Sequence, residues 1–200
     1  MTRPTSYPAT MAVGDAVAAI VAKVPEQAEP CVIAVDGFSA AGKSTIGAAL
    51  ATYLGAALLH MDDFYRDMTD AERRALSAAR GIDQYFDWPR LRTEALLPLR
   101  GAETARFAGF DWEAGIGLGP LNTVAPRPFI VLEGVYSGRP DLEDLVDLAV
   151  FVDAPADARR ARRRARHDSH DWEARWDAAE RLYFSEIRPA SSFDLIVPGA

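Results

Sequence analysis

One stretch limits the possible folds of this chain more than any other. Gly37-Phe38-Ser39-Ala40-Ala41-Gly42-Lys43-Ser44, with Thr45 behind it, follows the apolar, β-branched run 31–36 and leads into 43–54, which reads as a helix closed by Gly55. Small residues between two glycines let successive backbone N–H groups turn inward around a phosphate. A helix starting there points its positive end at the same anion. Such a loop needs a strand before it and a helix after it, so the chain is expected to be α/β. Lys43 would neutralise the β- and γ-phosphates of a nucleoside triphosphate and the Ser44 hydroxyl would ligate Mg²⁺. Gly37, Ser39, Ala40, Ala41, Gly42 and Thr45 would complete the cradle. The alternative is a chance glycine turn with an exposed lysine.

The rest of the chain supports this class. Strands are predicted over 56–61, 129–132, 148–152 and 193–197. Helices are predicted over 11–24, 69–79, 91–99, 140–146, 156–166 and 172–187, with Thr69 and Glu72 forming a capping box. Gly- and Pro-rich 101–128 receives no assignment. Continuous apolar strands alternating with helices imply a parallel sheet covered on both faces, with the chemistry at the strands' carboxyl ends.

At 200 residues, with 49% hydrophobic and 26% charged, the chain fits one domain over 1–200, and 1–10 reads as a loose tail. A lone cysteine, Cys31, excludes a disulfide framework and a multi-cysteine zinc site. No stretch approaches the roughly 18 apolar residues that span a bilayer, and no signal-peptide core is visible, so a cytoplasmic location is expected and no membrane partner. The formal charge of −7 argues against general binding of nucleic acid. The positive charge is nevertheless local: six of the twenty arginines fall between Arg159 and Arg166.

The predicted second strand runs into His60-Met61-Asp62-Asp63-Phe64-Tyr65. A carboxylate at a strand end beside the phosphate loop can take a proton from an attacking hydroxyl, and Asp62 is the candidate base, with Tyr65 lining an acceptor pocket. A solvated Asp-Asp turn is the plainer reading. Glu133, after the strand 129–132, would face Mg²⁺ directly or through water. Arg159, Arg162, Arg163 and Arg166 share one helical face that could close on a triphosphate. The same face reads equally as a solvated basic surface paired with Asp157 and Asp168. A guanine-reading Asn-Lys-x-Asp is absent, since the only asparagine, Asn122, precedes Thr123. What remains among the nucleotide enzymes is a small-molecule kinase.

Several motifs in order then resemble the uridine/cytidine kinases of the phosphoribulokinase-like group: Asp62-Asp63-Phe64-Tyr65, Phe86-Asp87-Trp88-Pro89, Glu133-Gly134, Phe151-Val152-Asp153 before the arginines, and Arg188-Pro189 with Asp194–Pro198. The resemblance spans about 31–198. It implies a phosphate-loop three-layer sandwich of about five parallel strands with helices on both faces, and ATP and Mg²⁺ as donor and metal. It also implies that Asp62 is the base acting on a nucleoside 5′-hydroxyl, with Tyr65, Phe86 and Asp87 beside the acceptor. Arg159, Arg162 and Arg166 would be lid or phosphate-contacting arginines within about 154–175, Arg162 also serving transfer and the acceptor. The chain departs from the family after Arg166, where 167–172 replaces the usual Arg-Gly-Arg stretch, and after Phe110-Asp111-Trp112, where no histidine follows.

The resulting expectation is ATP-dependent transfer of the γ-phosphoryl group to the hydroxyl of a small molecule, which the resemblance makes a nucleoside 5′-hydroxyl. The rivals are a kinase for nicotinamide riboside, a vitamin precursor or a sugar, and a non-catalytic nucleotide-binding regulator that uses the arginines on RNA. Association into homo-oligomers stays open.

Overall fold

The computed structural model describes residues 11–26, 30–165 and 173–199. In chain order its strands are β1 (Cys31–Asp36), β2 (Ala57–His60), β3 (Ala105–Phe110), β4 (Leu118–Val124), β5 (Phe129–Glu133), β6 (Leu148–Asp153) and β7 (Leu195–Pro198). Five of them form one parallel sheet in the order β2-β5-β1-β6-β7, while β3 and β4 pair as a separate antiparallel hairpin. β1 is central and buried along its whole length, as a continuous apolar run with neighbours on both edges must be.

Helices cover both faces. On one side α1 (Val13–Val21) and α2 (Lys43–Leu54) bury Ile20, Ile46 and Leu50 against Ile33, Val35 and Val150. The other side is aromatic: Phe64, Tyr85, Phe86, Tyr136, Phe151, Trp176 and Tyr183 share one core. It gathers α3 (Asp70–Ala75), α4 (Ala78–Gln84), and α5 (Trp88–Arg90), which continues through a π-helical stretch, Leu91–Leu96, into α6 (Leu97–Arg100). After β6 come α7 (Ala156–Ala165) and α8 (Glu173–Leu182), the latter ending in a π-helical turn, Tyr183–Ile187. The molecule is thus a three-layer α/β sandwich. Among the described residues, no helix is long and apolar enough to cross a membrane.

Four sequence expectations change. The helix expected over 69–79 is two helices. Thr69 caps the first with the expected Glu72 box, but Leu76 turns extended to bury itself and Ser77 caps the second by accepting from the Arg80 amide. The unassigned 101–128 holds the β3–β4 hairpin. Its tip is set by Asp111, whose Oδ1 accepts from the amides of Glu113 (3.0 Å) and Ala114 (2.9 Å). The last strand starts at Leu195 rather than 193, since 190–192 forms a 3₁₀ turn. The expected helix over 140–146 is a single 3₁₀ turn, Pro140–Leu142. Arg166, the replacement segment 167–172 and the tail 1–10 lie outside the described residues.

Candidate active site

The carboxyl end of β1 is held by a buried carboxylate. Asp36 accepts from the amides of Gly37 (2.7 Å), Tyr136 (2.8 Å) and Gly138 (2.9 Å), which ties the phosphate loop to the turn after β5. Burial pushes its carboxyl up to about 6 despite these donors. Gly37 has φ 143°, and a Cβ on it would stand 2.4 Å from the Val152 carbonyl oxygen, so any side chain would break the seat of the loop on β6. Ala40 (φ 61°) and Gly42 (φ 105°) are also left-handed, which bends the loop into the concave form that anions enter. Lys43 is buried, with Nζ donating to the Phe38 carbonyl at 2.9 Å. A loop this tightly bent, opening at the start of α2, fits a polyphosphate.

The carboxyl ends of β2 and β5 bring the acids. Met61–Phe64 is a 3₁₀ turn whose Met61 and Phe64 are buried, which leaves Asp62 and Asp63 turned outward between two anchors. Close packing demands Gly134 here (φ 139°), since a Cβ would lie 2.5 Å from the Met61 Cβ. Ser44 Oγ donates to Glu133 Oε2 at 3.1 Å, and the other Glu133 oxygen lies 2.6 Å from His60 Nδ1. That hydrogen bond and the surrounding carboxylates raise the His60 pKa. A hydroxyl beside a carboxylate is a hard oxygen donor set of the kind Mg²⁺ takes, with water and phosphate oxygens completing the octahedron.

Asp62 is solvent-exposed on the cleft floor, yet the protein walls around it and the Glu133 charge push its carboxyl up to about 6, against the pull of Lys43 and His60. That is where a base working near neutral pH is useful.

These groups share one cleft of about 340 Å³. Ser39, Ala40, Lys43, Ser44, Asp62 and Glu133 lie on the loop side, and Tyr65, Trp112 and Trp176 form an aromatic wall. Tyr65 and Trp176 are nearly parallel (interplanar angle 21°), and Trp112 stands edge-on to Tyr65 with ring centroids 5.0 Å apart. The hairpin carries Trp112 there. It is pinned by Arg90 donating to the Ala108 carbonyl (2.6 Å) and by the Gly117 amide donating to Asp67 (2.8 Å).

The other sequence candidates sit elsewhere. Phe86 is fully buried, bridged to Tyr65 and packed behind its ring at 4.5 Å. Asp87 caps α5 by accepting from the Arg90 amide. Neither lines the cleft, because the short bridge between Tyr65 and Phe86 turns Phe86 into the aromatic core. Thr45 is exposed on α2. Arg162 donates to the carbonyls of Ala40 (3.1 Å) and Ala41 (3.3 Å), bracing the outside of the loop instead of lining the cleft. Arg159 donates to the Ala154 carbonyl, with its guanidinium 4.2 Å from the centre of the Phe38 ring. Arg163 is the described arginine that borders the cleft, and Asp177 and Glu173 hold it. The described part of the basic face is therefore internally engaged.

Sequence reasoning missed Trp112, Trp176, Glu173 and Asp36. A helix with Glu173, Trp176, Asp177 and Glu180 at i, i+3, i+4 and i+7 carried the signal for one of these clusters, but that spacing also fits an ordinary solvated face.

Comparison with known proteins identifies the family and the fold. The cytidylate kinase family model matches residues 33–93, the stretch that holds the phosphate loop and Asp62. Uridine kinase of Deinococcus deserti is 31% identical over 165 residues, covering 80% of this chain and 79% of that protein. Uridine kinase of Alkaliphilus metalliredigens is 28% identical over 170 residues, covering 80% and 79%. In fold the chain resembles a structure described as a possible uridine kinase from Bacillus stearothermophilus, with TM-score 0.70 at 21% identity over 92% of this chain and 96% of that one. It also resembles the D-glycerate 3-kinase of Cryptococcus neoformans, with TM-score 0.56 at 14% identity over 93% and 92%.

Proposed function

Because this chain belongs to the uridine kinase family, we propose that its cleft transfers the γ-phosphoryl group of ATP to the 5′-hydroxyl of a nucleoside. The observation that carries this reading is one shared cleft holding the Lys43 loop, the Ser44–Glu133 pair and the Asp62 carboxylate. Ser44 and Glu133 would hold Mg²⁺, which supplies charge neutralisation to the phosphates.

Asp62 accepts the hydroxyl proton as the acceptor oxygen forms its bond to the γ-phosphorus. The bond from that phosphorus to the β–γ bridging oxygen breaks, and ADP leaves with the electron pair. Lys43 and the amides of the loop bear the charge that spreads over the phosphoryl oxygens. Arg162 braces the loop through the carbonyls of Ala40 and Ala41. Catalysis is then mainly positioning and electrostatics. Trp112, the exposed ring of that aromatic wall, would meet a planar base.

Incubation with Mg-ATP and a panel of nucleosides, vitamins and sugars, read by mass, tests this. A nucleoside gaining one phosphoryl group supports the reading. Transfer only to a non-nucleoside alcohol moves the assignment to another metabolite kinase. Salt-sensitive retention of RNA without any transfer would replace it by a regulatory role.

A further inference from the structure

We propose that Glu180 is a positioning residue that sets the shape of the phosphate loop through Ser39, and through that shape the affinity for the triphosphate. The inference rests on the reading of that loop as a nucleotide site.

Glu180 is on α8, 141 residues from Ser39, and is 1% exposed. A single oxygen, Oε1, receives three donors: the Ser39 amide (2.8 Å), the Ser39 hydroxyl (2.5 Å) and Trp176 Nε1 (2.9 Å). The indole N–H also reaches Ser39 Oγ at 2.9 Å. A buried carboxylate is costly unless donors meet it, and bonds to a charged acceptor are the strong ones. The donors here come from the phosphate loop itself. Packing alone would be served by an apolar side chain.

The consequence lies in the backbone. With its N–H drawn toward α8, Ser39 cannot turn that amide into the cradle. The chain passes next through Ala40 at φ 61°, a conformation that an alanine holds only when its surroundings impose it. Arg162 grips the carbonyls of Ala40 and Ala41, so α8 and α7 hold consecutive residues of the bend. One and two turns earlier on the same face of α8, Asp177 and Glu173 hold Arg163. The loop, α7 and α8 therefore form one hydrogen-bonded unit, and Glu180 is the link from α8 to the loop.

Two substitutions separate bonding from charge. Glu180→Gln keeps an oxygen able to accept the same donors, whereas Glu180→Ala keeps none. In nucleotide-free protein, Glu180→Ala should speed hydrogen exchange in the peptide spanning the loop, while Glu180→Gln leaves it near that of the parent. Titration with Mg-ATP should show Glu180→Ala weakened about tenfold or more, with the KM for ATP raised at least as far as kcat falls, and Glu180→Gln within about threefold on both. Parent-like exchange and affinity in Glu180→Ala would overturn the proposal, as would a Glu180→Gln variant as impaired as Glu180→Ala. If Glu180→Ala does not fold, Ser39→Ala carries the test: faster loop exchange with weaker Mg-ATP binding supports the link, and no change in either rejects it. Should the parent itself bind no Mg-ATP, the nucleotide reading fails separately, and the exchange comparison still decides whether Glu180 holds the loop.

Discussion

The Ser44 hydroxyl and the Glu133 carboxylate, 89 residues apart in the chain, meet at 3.1 Å at the mouth of the phosphate loop. The fold makes this contact possible because β1 and β5 are hydrogen-bonded neighbours, with Val35 registered against Glu133. Gly47 on α2 clears the way: a Cβ there would lie 3.0 Å from the Glu133 Cβ. Glu133→Gln should therefore raise the Mg²⁺ concentration needed for half-maximal rate about tenfold, with little change in melting temperature. Rate measured against Mg²⁺ at saturating nucleotide checks this.

Asp62→Asn should lower kcat by about a thousandfold while Mg-ATP binds as before. Steady-state kinetics beside a nucleotide titration separate the two effects. Near-normal turnover would remove Asp62 from the role of base.

Because the Asp62 carboxyl is pushed up to about 6, its base form is lost as pH falls through that value. The kcat/KM should drop about tenfold per pH unit below about 6. Stability runs the other way: the folded protein holds this proton more tightly than an unfolded chain does, so ionising Asp62 costs stability as pH rises from the usual carboxylate range through about 6. Asp62→Asn should melt higher than the parent at pH 7.5, with the gap closing toward pH 4.

Gly37→Ala places a methyl group against the Val152 carbonyl at a φ that alanine resists. The expected cost is about 3 kcal/mol, seen as a melting midpoint lower by about 10 °C, with loss of nucleotide binding.

Trp112→Ala should raise the KM for a nucleoside acceptor about tenfold or more and leave that for ATP unchanged, if the ring stacks on a base. An equal effect on both substrates would mean the hairpin holds the whole cleft instead of the acceptor alone.

What could be read from the sequence was local. Gly37 to Ser44 is legible because strand, bend and helix follow one another within a few residues, and Asp62 and Glu133 are legible because strand ends in a parallel sheet converge. The separation of Phe86 from the cleft, and of Arg162 from its interior, was not legible, because side-chain direction there depends on the Tyr65–Phe86 bridge and on where α7 docks. The hairpin was hidden for a similar reason: its strands are Gly-interrupted and half exposed, and they are held in place by Arg90 and Asp67, which lie before it in the chain. By itself the sequence determined the phosphate loop, the parallel sheet and the acids at the strand ends, since each follows from spacing along one segment. Only the tertiary structure decided which aromatic rings wall the cleft and that Glu180 reaches Ser39, because those contacts join segments that no periodicity relates.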